Sequence, residues 1–204
     1  MVRMLWNIII HNATRTTSNA RYDMARVESL EYKEYILPTR LQNQINDDIK
    51  QFILGLGDQL ETDKDAGAVK PSQCKCKMTD WDVSVKNKNI NDIVNLVCLC
   101  IDRDFLPPKH SVKKTQTWGV IYDIGDQIEP HHHDRNFGIM DYSWTYYIQV
   151  PEGSSSLFLT KGEKECEVIP QKGKLVIFDS RIWHYIPPNK CNNRIAIVGN
   201  ILID

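Results

Sequence analysis

The sequence has almost no net charge and no long hydrophobic run. Its 25 Lys and Arg residues against 26 Asp and Glu residues give a formal charge of -1, so no global basic field favours nucleic acid or an anionic membrane. No stretch approaches the ~18 apolar residues that a membrane-spanning helix requires. The apolar patch 8–10 is followed at once by polar residues, unlike the core of a signal peptide. We therefore expect a cytoplasmic protein with no membrane partner.

Internal repeats and low-complexity tracts are also absent, and 204 residues predict one domain. Residues 1–26 are rich in Asn, Thr, Arg and Ser without a sustained period, which is typical of an N-terminal arm. We expect a single domain over 27–204. Within it, residues 27–114 form a helical and strand support region, and residues 115–204 form a β core that holds the functional site.

The six cysteines form two Cys-x-Cys pairs, Cys74/Cys76 and Cys98/Cys100, with Cys166 and Cys191 apart from them. The spacing within each pair is a poor match to the spacings that zinc sites prefer. Without an export signal a disulfide framework is not expected. We predict reduced thiols, with a structural zinc site at the four paired cysteines as the less favoured alternative.

The first half of the chain predicts one strand and two helices. Residues 27–37 are β-branched and aromatic up to Pro38, which predicts a strand. Apolar residues recur at helical spacing over 41–53 and again over 91–103, the second time after a polar cap at Asn89 or Asn91. The lysine-rich stretch 58–89 predicts a loop with at most one short strand.

The second half predicts an all-β region, because short β-like runs alternate with turn signals from residue 115 onwards. The predicted strands are Thr117–Tyr122, Tyr142–Val150, Ser156–Thr160, Cys166–Ile169, Lys174–Asp179 and Arg194–Ile203. Strands at this spacing favour a sandwich or jelly roll. The fold class is therefore mainly β with flanking helices (α+β), a double-stranded β-helix (jelly roll) with two helices packed on one sheet.

Four consecutive candidate ligands occur at His131-His132-His133-Asp134, and His184 is a distant candidate partner. In an extended segment residues i and i+2 face the same side, so His131 with His133, or His132 with Asp134, can direct two donors at one point. His184 then completes the site from another strand. Three protein ligands with open positions suit non-haem Fe(II) chemistry, most often as two imidazoles and one carboxylate. The alternative is a solvated histidine-rich loop.

Arg194 follows His184 by ten residues and begins the apolar run Ile195–Val198. A guanidinium at the start of such a strand is suited to holding a carboxylate in a bidentate pair. The alternative is a charge at the end of a strand that faces water.

Three ordered segments carry a family resemblance: Tyr122–His131, Trp144–Ile148, and Gly173–Ser180 followed by His184 and Arg194. Together they resemble the Fe(II)/2-oxoglutarate-dependent oxygenase superfamily. The likeness is greatest to prolyl-hydroxylase-like members and to short oxygenases of bacteriophages. It covers roughly residues 115–204, and the first half has only a generic likeness.

The resemblance implies that His184 is the distal iron ligand and that Arg194 binds the far carboxylate of 2-oxoglutarate. It also implies that Tyr122 and Tyr147 face this co-substrate. Aligning the Pro-His segment makes His131 the first ligand and places His133 where the family has aspartate. We favour this register over His132 with Asp134, and either Asp134 or Asp141 is then expected to orient the ligands without binding the metal itself.

The implied function is a 2-oxoglutarate-dependent dioxygenase (a hydroxylase) that uses Fe(II), 2-oxoglutarate and O2, with ascorbate as a supporting reductant, and releases succinate and CO2. The alternatives are a three-histidine, cupin-like dioxygenase without 2-oxoglutarate and a non-catalytic jelly-roll binding module. The primary substrate is not identified by the sequence. A protein side chain or a small metabolite is favoured over nucleic acid.

Overall fold

The structure, a computed structural model, describes residues 30–62, 74–105, 112–133 and 141–204. Within these ranges it contains the helices α1 (Thr39–Gly55) and α2 (Lys88–Asp104). The strands are β1 (Tyr32–Ile36), β2 (Glu61–Thr62), β3 (Cys74–Lys75), β4 (Lys77–Met78), β5 (Val112–Tyr122), β6 (Gln127–His131), β7 (Tyr142–Gln149), β8 (Leu157–Lys161), β9 (Lys164–Val168), β10 (Lys174–Asp179), β11 (Trp183–Ile186) and β12 (Arg194–Ile203).

The strands form two antiparallel sheets. The larger sheet has the order β1-β10-β7-β12-β5-β4-β2, and the smaller has the order β3-β6-β11-β8-β9. From β5 to β12 consecutive strands alternate between the sheets, except that β8 and β9 form a hairpin within the smaller sheet, as in a double-stranded β-helix. The predicted fold class is confirmed.

Side chains of the larger sheet alternate between two environments, as period-2 strands require. On β12, Ile195 and Ile197 face the helices, whereas Arg194 and Ala196 face the space between the two sheets. The larger sheet therefore has a helix-covered face and an inner face. The inner face forms one wall of a cavity.

Both predicted helices pack on the larger sheet. Ile45, Ile49 and Ile53, spaced four residues apart, are buried on one face of α1. Helix α2 begins earlier than predicted, because its cap is Asn87 and not Asn89 or Asn91. The Asn87 side chain accepts hydrogen bonds from the backbone N–H groups of Asn89 and Ile90 at 2.9 and 3.0 Å, which satisfies donors that the first turn leaves unpaired.

The prediction of at most one short strand over 58–89 is wrong, since β2, β3 and β4 all lie there. Each has only two residues, too few to produce a recognisable alternation. The strands β6 and β11 were also absent from the predicted set. Pro130 interrupts the first, and the second has only four residues.

The predicted arm 1–26 and the start of the predicted first strand lie outside the described residues. The division into an arm and a single domain stays a prediction. Among the helices that are described, none is long and apolar enough to cross a membrane.

Candidate metal centre

Three histidines from the two neighbouring strands β6 and β11 converge in the cavity. His131 and His184 are directly opposite each other in the antiparallel pairing of these strands. His133 lies two residues beyond the end of β6, and its backbone N–H donates to the Ser180 carbonyl at 2.7 Å. One ligand atom from each of the three side chains lies within 4.8 Å of the other two.

Backbone carbonyls orient two of the three rings. Nδ1 of His131 lies 2.9 Å from the Glu129 carbonyl, and Nδ1 of His184 lies 3.0 Å from the Ile182 carbonyl. A carbonyl only accepts, so Nδ1 carries the proton in both rings and Nε2 has a free lone pair. This is the arrangement that orients histidines toward a metal.

Burial keeps the three imidazoles neutral. It lowers the pKa of His131 to about 4 and that of His133 to about 3, and the neighbouring imidazoles lower the pKa of His133 further. The pKa of His184 is also well below its usual range, for the same reasons. At neutral pH the cluster thus presents three lone pairs with no proton to displace, a donor set suited to divalent Fe, Zn or Ni.

The structure brings together the first predicted register, His131 and His133 with His184, and not the second. The His132 ring packs against Trp183 with the ring centres 4.6 Å apart, and it does not line the cavity. Asp134 lies outside the described residues.

Arg194 lies in the same cavity with its side chain fully buried. Its Nε and Nη1 atoms have no hydrogen-bond partner, and in the part of the chain that the structure describes it forms no ion pair. A buried charge is costly unless an opposite charge pairs with it. This guanidinium is therefore suited to an anionic ligand, and the alternative of a strand-end charge facing water is excluded.

Both predicted tyrosines contact this guanidinium. Its carbon lies 4.6 Å from the ring centre of Tyr122 and 5.3 Å from that of Tyr147. The Tyr147 hydroxyl is buried without a partner. Burial raises the pKa of Tyr147, and the charge of Arg194 opposes this rise, so the phenol stays protonated. Its O–H can donate to the same anion that the guanidinium binds.

The cavity is open to solvent, and its empty space including that opening is about 730 Å³. Its described lining contains no Asp or Glu. Three orphaned polar groups, Arg194 Nε, Arg194 Nη1 and the Tyr147 hydroxyl, therefore lie in one space with the histidine cluster. Fe(II) fits the cluster, and a dicarboxylate such as 2-oxoglutarate fits the orphaned donors.

Sequence analysis missed two polar residues that line the cavity, Ser143 and Asn200, together with Ser180 beside them. Ser143, Ser180 and Asn200 are buried and hydrogen-bonded to one another. The only signal available for Ser143 and Asn200 was their position on the inward-facing alternation of β7 and β12.

The described cysteines show no metal-binding arrangement. Cys76, Cys98 and Cys100 are free thiols, and burial raises the pKa of Cys98 to about 11 and that of Cys100 to about 12. Among the described residues the histidine cluster is the one group suited to a metal. The Cys74 side chain is not described.

The sequence matches no protein-family model and no curated protein, but its fold matches solved structures. A prolyl-4-hydroxylase from Pseudomonas putida is 17% identical with a TM-score of 0.65, over 87% of this chain and 95% of that one. A prolyl hydroxylase from Trichoplax adhaerens, in complex with a peptide fragment of hypoxia inducible factor, is 14% identical with a TM-score of 0.69, over 87% and 86%.

A third match is a non-heme alpha-ketoglutarate-dependent epimerase from nogalamycin biosynthesis. It is 12% identical with a TM-score of 0.63, over 87% of this chain and 78% of that one. At these identities the likeness shows the fold, which is that of the 2-oxoglutarate-Fe(II) oxygenases.

Proposed function

We propose that this chain is a member of the Fe(II)/2-oxoglutarate-dependent oxygenase superfamily that hydroxylates a substrate. The observation that carries the proposal is the buried, unpaired Arg194 guanidinium in one cavity with a cluster of three neutral imidazoles. A metal site alone fits many functions. A metal site beside an unpaired buried cation needs a ligand that both binds metal and carries a distal carboxylate.

His131, His133 and His184 would hold Fe(II). Arg194 would bind the distal carboxylate of 2-oxoglutarate, and the Tyr147 hydroxyl would donate to the same group. When bound, the metal and co-substrate supply oxidation: 2-oxoglutarate, O2 and a substrate C–H become succinate, CO2 and a C–OH, with one oxygen atom in succinate and one in the alcohol.

The chain's own residues position these reactants. Arg194 and the carbonyl-oriented rings of His131 and His184 are fixed before any ligand arrives, which lowers the cost of ordering the site. The buried aromatic side chains of Tyr122 and Phe178 line the cavity, and such low-dielectric surroundings strengthen the pairing of Arg194 with an anion.

The substrate class includes protein side chains and small metabolites. The Trichoplax hydroxylase binds a peptide, which supports the first, whereas the epimerase of the same fold shows that the fold alone does not determine the reaction. The formal charge of -1 gives no support to a nucleic-acid substrate.

The three-histidine ligand set favours a second candidate, a cupin-like dioxygenase that does not use 2-oxoglutarate. Such an enzyme has no need of an unpaired arginine, so Arg194 discriminates between the two. A non-catalytic binding module would bind metal and consume no O2.

The test is succinate release from 2-oxoglutarate with Fe(II), O2 and ascorbate in the absence of substrate, with binding measured by anaerobic calorimetry. Arg194→Lys keeps the charge but loses the planar fork, so 2-oxoglutarate affinity should fall about tenfold or more. Arg40→Lys, the same change at an exposed position on α1, should leave it unchanged. If the wild type neither binds nor turns over 2-oxoglutarate, the proposal is wrong.

A further inference from the structure

The lining of the cavity extends along β12 from Arg194 to Asn200. Arg194 and Asn200 lie on the same face of β12, six residues apart, and both line the cavity. At ~3.3 Å per residue their backbones are roughly 20 Å apart, more than a five-carbon acid can span. Space for a second molecule therefore remains toward Asn200.

The Asn200 end is joined to the histidine cluster by hydrogen bonds. The backbone carbonyl of Ser180 accepts from His133 N–H, and the Ser180 hydroxyl lies 3.0 Å from that of Ser143. Ser143 in turn donates to Oδ1 of Asn200 at 2.8 Å. Asn200 is thus linked to the segment that carries His133, whereas Arg194 lies six residues away along β12, and we assign the Asn200 end of the cavity to the substrate.

The hydrogen-bond chain leaves one donor group unused. A serine has a single hydroxyl proton, and Ser143 gives its proton to Asn200, so Ser180 must donate to Ser143. Oδ1 of Asn200 is therefore satisfied. Its Nδ2 forms no hydrogen bond with any described residue, although the side chain is only 4% exposed.

Asn200 lines the cavity, and an amide N–H2 there without an acceptor in the protein can donate to a ligand or water that enters the cavity. The surrounding cavity wall is apolar, with Trp118 and Val198 beside it on the same sheet face, and the described lining has no carboxylate to attract a cation. These surroundings favour a ligand that is neutral, has one hydrogen-bond acceptor and is otherwise apolar.

We propose that Asn200 is a specificity-determining residue whose Nδ2 donates to a carbonyl-type acceptor of the primary substrate. The substrate class is then a neutral amide or carbonyl compound with an apolar portion, and not an amine. The inference rests on the proposed function for its assignment of the two ends of the cavity.

The probes are benzamide and benzamidinium, which share a shape. The first presents a carbonyl acceptor, and the second is a cation with donors only. Binding is followed by NMR through the 15N side-chain amide signal of Asn200, assigned by its loss in Asn200→Asp. The full chain is used with Zn(II), which has no redox chemistry, both with and without 2-oxoglutarate.

Wild type should bind benzamide more tightly than benzamidinium, and the Asn200 amide signal should shift on binding. Asn200→Ala should weaken benzamide about three- to tenfold, as expected for the loss of one neutral hydrogen bond. The isosteric Asn200→Asp should reverse the preference toward benzamidinium. Ser143→Ala, which keeps Nδ2 and removes only its anchor, is the matched control and should have the smaller effect.

Benzamide and 2-oxoglutarate should bind together. Competition between them would place Asn200 at the co-substrate and overturn the proposal. The proposal is also overturned if benzamide binds without a shift of the Asn200 signal, or if benzamide does not bind up to its solubility limit. Failure of 2-oxoglutarate to bind refutes the proposed function instead, and the amide signal still reports whether Nδ2 meets an acceptor.

Discussion

The ligand register can be tested by removing one histidine at a time. His131, His133 and His184 each offer one ligand atom to the cluster, whereas His132 packs outside the cavity against Trp183. We expect alanine at any of the first three positions to abolish stoichiometric Fe(II) binding. His132→Ala is the matched control, since it removes the same side chain from the same segment.

The magnitude follows from the number of ligands. Four-ligand zinc sites bind with ~10–16 kcal/mol, so one ligand contributes roughly 2.5–4 kcal/mol. Losing one of three should then lower affinity on the order of 100- to 1,000-fold. His132 does not line the cavity, so its removal should change the metal affinity by about twofold or less.

The assay is anaerobic equilibrium dialysis against Fe(II), with circular dichroism to confirm that each variant is folded. The reasoning is refuted if His132→Ala and Asp134→Ala lose the metal while His131→Ala and His133→Ala keep it. Retention of a full equivalent by all five variants would place the metal elsewhere, with the paired cysteines as the remaining candidate.

Three further predictions concern stability. Gly199→Ala should cost at least about 2 kcal/mol in denaturant unfolding, because a Cβ would clash with the Gln116 backbone carbonyl oxygen and lie 2.7 Å from the Trp144 ring; an unchanged midpoint would mean that both the strand backbone and the ring can move aside. Asn87→Ala should cost about 1 kcal/mol by the same measurement through loss of the α2 cap, and no loss would show that water replaces it. Burial alone would raise the pKa of Asp104, but hydrogen bonds, first from Arg103, hold it below its ordinary value of 3.8. Asp104→Asn should therefore be less stable than wild type above pH 3.8, with the difference shrinking as the pH falls through the folded-state pKa; a difference that grows in acid would contradict this.

The β core was predictable because its long strands carry strong signals. β12 runs for ten residues, and its apolar stretch is bounded by turn residues. The helix α1 has apolar residues at 45, 49, 52 and 53, a mixed spacing that a helix, and not a strand, places on one face. Long periodic patterns of this kind indicate the type of element clearly. These elements were therefore predicted with the correct type, and mainly the positions of their ends differed.

The strands that carry the metal ligands gave weaker signals. β6 contains Pro130, which has no backbone N–H to donate to a neighbouring strand. β11 begins with the exposed residue Trp183. Their conformation is imposed by pairing with each other, which no local pattern records. The alternation rule nevertheless brought His131 and His133 to one side once the segment was taken as extended.

The place of Asn200 in the cavity was not predicted, although the sequence held a signal for it. A polar residue within a predicted strand is usually assigned to the solvent-exposed face, unless another residue of the strand shows which face is buried. Arg194 fixes that face, since Asn200 lies six residues further on the same strand and so shares its side. With Arg194 assigned, the inward position of Asn200 follows from period two.

The charge of the cavity connects the three-histidine ligand set with Arg194. Three neutral imidazoles do not reduce the positive charge of a bound divalent metal. Arg194 adds a further positive charge, and the described lining of the cavity has no carboxylate to balance it. A dianionic co-substrate that reaches both the metal and Arg194 neutralises most of this charge, and a neutral co-substrate would neutralise none. The cavity therefore favours an oxoacid over a neutral co-substrate, for the same reason that it disfavours an amine at Asn200.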